Sequence, residues 1–159
     1  MSMIEIKMQQ VDGMLSIVDK IKFNKITSSS VRKYLLNLAN ELLKSNEKIN
    51  IKLKDLKDKI FNGFSQDDLN KFQYNLNQIT DLLKQNKTAE ADKLDKDTLE
   101  SYPELAKAYK QFYNEFLNIQ NEVEYYNIEK IDINEFTEAM VDQDLEITIK
   151  ELEILKPLF

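Results

Sequence analysis

The sequence predicts a mainly α-helical protein, with an antiparallel helical hairpin and a third long helix packed as a bundle. A small β-sheet is expected between the N-terminal strand and residues 123–133. Three long stretches carry apolar residues at alternating four- and three-residue spacing, the period of packed helices. The first two are separated by a very short linker, which favours a hairpin. With 159 residues and 42% apolar content, we predict a single domain, 1–159, with its bundle core at 29–121.

The first element is predicted to be a strand at residues 3–8, because Ile4, Ile6 and Met8 alternate with polar residues. The spacing then becomes helical. Apolar residues from Val11 to Ile21 predict a helix of about three turns. Gly13 is a tolerated weak position within it.

A long helix follows, because Thr27–Ser30 offers N-cap oxygens and the apolar spacing then persists from Val31 to Ile60. It is expected to end at Gly63, which can adopt the left-handed conformation. If unbroken, it covers about 33 residues. The segment Ile49–Leu53 also alternates like a strand, so a break there is left open.

The second helix of the hairpin is predicted to start at the capping residues Ser65–Asp68. Residues 86–101 are polar and predict a loop that contains a short helix at 89–94. Pro103 suits the first turn of the third long helix. The apolar stripe of this third helix includes Phe112 and Phe116, which we expect in the core.

After Asn121 the β-branched and aromatic residues of 123–133 predict one or two strands that pair with the N-terminal strand. Asn134 is expected to cap a short helical turn. Thr148 and Glu151 form a capping-box pattern, which predicts a C-terminal helix at 149–156.

Four segments of the chain are considered together: the opening strand and helix, Val31–Leu43, Tyr113–Ile133 and Leu152–Phe159. These segments resemble a family of small uncharacterised phage and prophage proteins. Members of that family typically end in a helix, a Glu-Val-Glu-Val type of strand, a spaced Ile-x-x-Ile-x-Leu and a Leu-rich helix. The resemblance covers about half of the chain, which departs from it in an extra helical segment at 65–86. The resemblance implies a phage origin; it offers no catalytic residues to carry over and implies no mechanism.

The composition argues against catalysis, because the chain has no His or Cys, the usual general base and thiol nucleophile. We therefore expect no enzyme activity, no cofactor and no small-molecule ligand. The lack of Cys suits a reducing cytosol. With the phage origin that the resemblance implies, we expect the protein in the host cytoplasm, or in the virion. No apolar run approaches the ~20 residues of a membrane-spanning helix, and no signal peptide or membrane association is expected.

Acidic residues near the C-terminus faintly echo a calcium-binding loop, with Asp142, Asp144, Glu146 and Glu153 at ligand positions. The glycine required at the sixth position is Ile147. Because Thr148 also predicts a helix where that loop would continue, we expect no metal site.

The charge is unevenly distributed along the chain. Residues 20–60 hold eleven Lys or Arg against four Asp or Glu, a balance of +7, and residues 122–153 hold two against eleven, a balance of −9. Either the two charged faces partly complement each other, or one is a docking surface. A stripe of Lys44, Lys48, Lys52 and Lys59 suggests nucleic-acid binding, but the single arginine and the net charge of −6 argue against it.

The chemistry thus predicts a non-enzymatic protein that binds protein. With the phage origin that the resemblance implies, we expect it to bind itself or another phage or host protein, as a virion or assembly component or an oligomeric adaptor. The alternative is an inhibitor of a host defence or nucleic-acid enzyme that acts through the acidic C-terminal surface. The candidate partner-binding residues are two tyrosines off the apolar stripes and six acids: Tyr113, Tyr126, Glu124, Glu129, Asp132, Glu138, Asp142 and Asp144.

Overall fold

The computed structural model describes residues 3–159 and is mainly helical, with one antiparallel two-stranded sheet, which confirms the predicted fold class. The strands are β1 (Ile4–Lys7) and β2 (Val123–Tyr126). The helices in chain order are α1 (Met8–Asp19), α2 (Ser29–Phe61), α3 (Gln66–Lys84), α4 (Thr88–Ser101), α5 (Pro103–Asn121), α6 (Ile133–Val141) and α7 (Ile149–Leu155).

The elements divide into two compact units. The terminal unit consists of Met1–Lys52 with Asn118–Phe159, and the middle unit is Leu53–Leu117. Helix α2 begins in the terminal unit and ends in the middle unit, and α5 runs the other way. The single domain expected from the chain length stays a prediction.

The small sheet joins the two ends of the chain, as predicted. Ile4 lies opposite Tyr126 in the antiparallel register, and the Met8 amide continues the pairing by donating to the Glu122 carbonyl at 2.9 Å. Of the one or two strands expected within residues 123–133, the structure has one, β2, which ends at Tyr126. Beyond it, the buried Ile131 donates its amide to the Leu158 carbonyl at 2.9 Å, so this segment pairs with the C-terminal turn.

One hydrophobic core fills the terminal unit. Helix α1, the first half of α2, helix α6 and the C-terminal turn all bury side chains in it. Gly13 has a packing role in α1, because a Cβ there would lie 3.3 Å from Cγ2 of Ile154. The missing side chain therefore allows α1 and the C-terminal helix α7 to approach closely.

Helix α2 runs for 33 residues without the break that was left open at Ile49–Leu53. It ends at Phe61, and the turn to α3 is closed by the Phe64 amide donating to the Phe61 carbonyl at 3.2 Å. The left-handed conformation expected at Gly63 is wrong, because neither glycine has a positive φ. Ser65 caps α3 as predicted, accepting a hydrogen bond from the Asp68 amide at 3.2 Å.

The middle unit contains a full helix where we expected a loop with a short helix at 89–94. Helix α4 has fourteen residues and packs against α3. It buries Ala91 and Thr98, which lie seven residues apart on one face. Because the buried face of α4 consists of a small and a polar residue, the spacing of large apolar residues in the sequence did not indicate this helix. The turn before α4 places Asn86 at φ 58°, and there the Lys87 amide donates to the Leu82 carbonyl at 2.9 Å.

The two C-terminal helices are capped by side chains. Asp132 caps α6 and not Asn134 as expected, because its carboxylate accepts from the amides of Asn134 and Glu135 at 2.9 and 3.1 Å. The predicted capping box of α7 is confirmed. The Glu151 amide donates to Oγ1 of Thr148 at 3.2 Å, and the Thr148 amide donates to the Glu151 carboxylate at 3.2 Å.

Candidate partner-binding surfaces

The two predicted tyrosines have opposite environments. Tyr113, in the middle unit, is 59% exposed. Tyr126 is 1% exposed, and its hydroxyl donates to Oγ of Ser45 at 2.8 Å within the terminal core. Burial raises the pKa of Tyr126. Tyr126 is therefore not accessible to a partner. Because side chains alternate along β2, its neighbour Tyr125 is the exposed tyrosine, at 62%.

Glu124 lies in an internal charge pairing of the terminal unit. It is half-buried and forms an ion pair with Lys48 of α2, and Glu122 pairs in the same way with Lys52. The basic and acidic segments therefore partly neutralise each other at this contact. Two lysines of the basic stripe are engaged here, and Lys44 pairs with Glu41 on its own helix at 3.1 Å.

The other five predicted acids are exposed, and none forms an ion pair within residues 3–159. Glu138 of α6 and Asp142, the C-cap residue of this helix, line one depression of about 190 Å³ together with Glu135. No group of three or more acids in residues 3–159 is arranged to hold a metal ion. The five residues are Glu129, Asp132, Glu138, Asp142 and Asp144.

An apolar pocket of about 360 Å³ lies beside these acids in the terminal unit. Its base includes Phe136 and Met140, which are buried, and its edge includes Val141, which is 67% exposed. Sequence reasoning missed it, because the pocket is completed by the turn that follows α6, which no local pattern indicated. The pocket is lined by Phe136, Thr137, Met140, Val141, Leu145, Glu146, Ile147 and Leu152.

A larger depression, the aromatic groove, lies in the middle unit and has a volume of about 950 Å³. Its apolar wall is made of half-buried side chains, with the Phe61 and Tyr109 ring centroids 4.9 Å apart. The Tyr109 hydroxyl donates to Oε1 of Gln73 at 3.2 Å, and burial raises its pKa. The groove is lined by Lys57, Asp58, Phe61, Asn62, Phe64, Gln66, Leu69, Asn70, Gln73, Tyr109 and Phe112.

Phe112 and Phe116, which we expected in the core, are only half-buried. Their rings stack with centroids 6.2 Å apart, and Phe112 forms part of the aromatic groove. The helical period identifies the apolar face of α5 correctly. It does not show whether another element covers that face.

Comparisons with protein-family models, curated proteins and solved structures find no match for this chain. Among residues 3–159, no helix combines the length and the apolar character needed to cross a membrane.

Proposed function

We propose that this chain is a non-enzymatic, phage-encoded protein that binds other proteins, as a virion or assembly component or an adaptor. The aromatic groove carries this proposal. Phe61, Phe64, Tyr109 and Phe112 leave part of their rings accessible around one depression of about 950 Å³. Aromatic side chains are enriched at protein interfaces. The phage origin rests on the resemblance of the chain's ends to phage and prophage proteins.

The occupant that best fits the groove is an amphipathic helix of another protein. An apolar wall edged by polar side chains suits the apolar face of such a helix. The edge offers amides from Asn62, Gln66 and Asn70 and a neighbouring pair of opposite charges, Lys57 and Asp58. Because these groups are neutral or of opposite charge, we expect a partner to form hydrogen bonds at the edge of the groove, and we expect no preference for an acidic or a basic partner.

The test is affinity capture from phage-infected cells with two matched variants. Phe64→Ser removes an aromatic side chain from the groove, and Tyr74→Ser removes one that is 64% exposed on α3 outside it. We expect the wild-type chain and Tyr74→Ser to retain a phage structural protein and Phe64→Ser to lose it, with equal far-ultraviolet circular dichroism. Equal retention by all three chains, or no phage protein with any of them, would contradict the proposal.

A second candidate function is inhibition of a host defence or nucleic-acid enzyme through the acidic surface. The exposure of Glu129, Glu138 and Asp142, each without an ion pair in the described residues, favours it. Reversing these three to Lys should abolish capture of a host enzyme and slow its association at low salt. Unchanged capture would rule out this function.

A further inference from the structure

We propose that the chain associates with itself head to tail, with the exposed face of α2 in one copy docking on the apolar pocket and acidic rim of a second copy. Both surfaces belong to the terminal unit. The inference goes beyond the proposed function and does not depend on it, because the aromatic groove takes no part in this contact.

The pocket is held open by backbone hydrogen bonds. After α6, Asp144 adopts a left-handed conformation with φ 54°, and its amide donates to the Val141 carbonyl at 3.0 Å. The Leu145 amide donates to the Met140 carbonyl at 3.0 Å, which fixes the side chain of Leu145 in the pocket wall. The Thr148 capping box anchors the other end of this segment. Because little ordering is needed on binding, a preformed pocket of this kind favours association.

The rim of the pocket is acidic. Glu146 is the only charged residue that lines the pocket. Thr137 and Val141 also line an adjoining depression, whose charged residues are Glu138 and Asp142. Neither depression is lined by a lysine or an arginine. A partner with apolar side chains flanked by cations is therefore complementary to this surface, and an acidic partner is repelled.

The chain itself carries such a surface on α2. Leu36 and Leu43 lie seven residues apart on one helix face and are 55% and 56% exposed. Arg32 is on the same face, four residues before Leu36, and Lys33 lies beside it. Both cations are exposed, and neither forms an ion pair within residues 3–159.

The two surfaces differ from each other, so the contact is heterologous. In a head-to-tail pair, one copy keeps a free pocket and the other keeps a free α2 face, so further copies can add. Attraction between Arg32 and Lys33 of one copy and Glu138, Asp142 and Glu146 of the next predicts association that weakens as salt is added.

The experiment measures self-association of the purified full-length chain by sedimentation, over a concentration series at low and high salt. The pocket variant is Val141→Ser with Glu146→Lys, and the helix variant is Leu43→Ser with Arg32→Glu. The control is Tyr125→Ser with Glu5→Lys, an exposed pair that faces each other across the sheet. We expect the pocket and helix variants each to weaken association about tenfold or more, and the control to match the wild-type chain.

Mixing the two variants tests directly whether the α2 face of one copy binds the pocket of another. The pocket variant retains an intact α2 face and the helix variant an intact pocket, so an equimolar mixture should form a one-to-one dimer that grows no further. A wild-type chain that stays monomeric throughout the series overturns the proposal. So does a mixture that fails to pair. Association that is lost in Phe64→Ser but kept in the pocket variant also overturns it, because the contact then uses the aromatic groove.

Discussion

Tyr126 and Tyr34 both bury their hydroxyl oxygen, but only the hydroxyl of Tyr126 has a partner in residues 3–159. Tyr126→Phe leaves the hydroxyl of Ser45 buried and unsatisfied, so we expect a loss of about 1–2 kcal/mol in the free energy of unfolding. Removing both groups, in Tyr126→Phe with Ser45→Ala, should cost less than the sum of the two single changes. Urea unfolding of the four chains measures the coupling.

Tyr34→Phe is the matched control. Burial raises the pKa of Tyr34, and its hydroxyl gains no hydrogen bond from the described residues in return. The same chemical change should therefore leave stability unchanged or slightly raise it. If Tyr34→Phe costs as much as Tyr126→Phe, the Ser45 hydrogen bond does not explain the effect at Tyr126.

At the scale of elements, one charged contact joins α1 to α7. Lys20 Nζ lies 3.0 Å from Oε2 of Glu151, and this hydrogen bond, with one from the Thr148 amide, lowers the pKa of Glu151 below its ordinary 4.5. The resulting stabilisation is complete above the unfolded pKa and is lost as the pH falls through the lower, folded pKa. The urea concentration at the midpoint of unfolding should therefore decrease less in Glu151→Gln than in the wild-type chain as the pH is lowered from neutral to about 3.

Glu153→Gln provides the comparison for this pH dependence. Glu153 is an exposed residue of the same helix that forms no ion pair within residues 3–159. Its substitution should leave the acid-side slope as in the wild-type chain. An unaltered slope in Glu151→Gln would show that the contact between α1 and α7 contributes nothing to the pH dependence.

The turn after α6 depends on one residue with a left-handed backbone. Asp144 has φ 54°, a conformation that a β-branched side chain disfavours. We expect Asp144→Val to lower the free energy of unfolding by about 1–2 kcal/mol and Asp144→Gly to leave it unchanged or raise it. Asp142→Val, at φ −58°, makes the same chemical change on an ordinary backbone and should cost less. Equal losses in the two valine variants would contradict this role of the backbone.

Local patterns predicted the elements whose signals are local. The period from Val31 to Ile60 predicted the long helix α2 and left open only the break at Ile49–Leu53, which the structure does not have. The capping residues Ser65 and Thr148 began their helices as expected. Features set by a distant partner escaped prediction. Tyr126 points inward from the sheet that β2 forms with β1. The half-burial of Phe112 was not predicted, because a helical period does not show which element covers a helix face.

The candidate surfaces were predictable only in part for the same reason. Composition indicated an acidic C-terminal segment, and the structure leaves Glu138 of α6 and Asp142, its C-cap residue, exposed beside one depression. The pairing of Glu124 with Lys48 needed the fold, because 76 residues separate them. The apolar pocket also needed it, since Asp144 gives no glycine signal for the turn that builds it.

At the scale of the whole molecule, the buried apolar residues are unevenly shared. The hydrophobic core cluster of the described residues lies entirely in the terminal unit and has twenty members. The middle unit buries five apolar residues, of which two are alanines: Leu56, Phe72, Ala91, Leu105 and Ala108. Because stability grows with the apolar area removed from water, the middle unit has much less to resist opening.

We therefore expect the two units to open separately in native-state hydrogen exchange at rising urea. Amides of α3 and α4 should lose protection at lower urea than those of α1 and α6. Phe72→Ala leaves a cavity in the middle unit and should lower protection in α3 and α4 alone. Leu38→Ala leaves a cavity in the terminal unit and should lower protection in α1 and α6. If all four helices share one opening free energy, and either variant lowers it everywhere, the chain unfolds as the single cooperative domain that its length predicts.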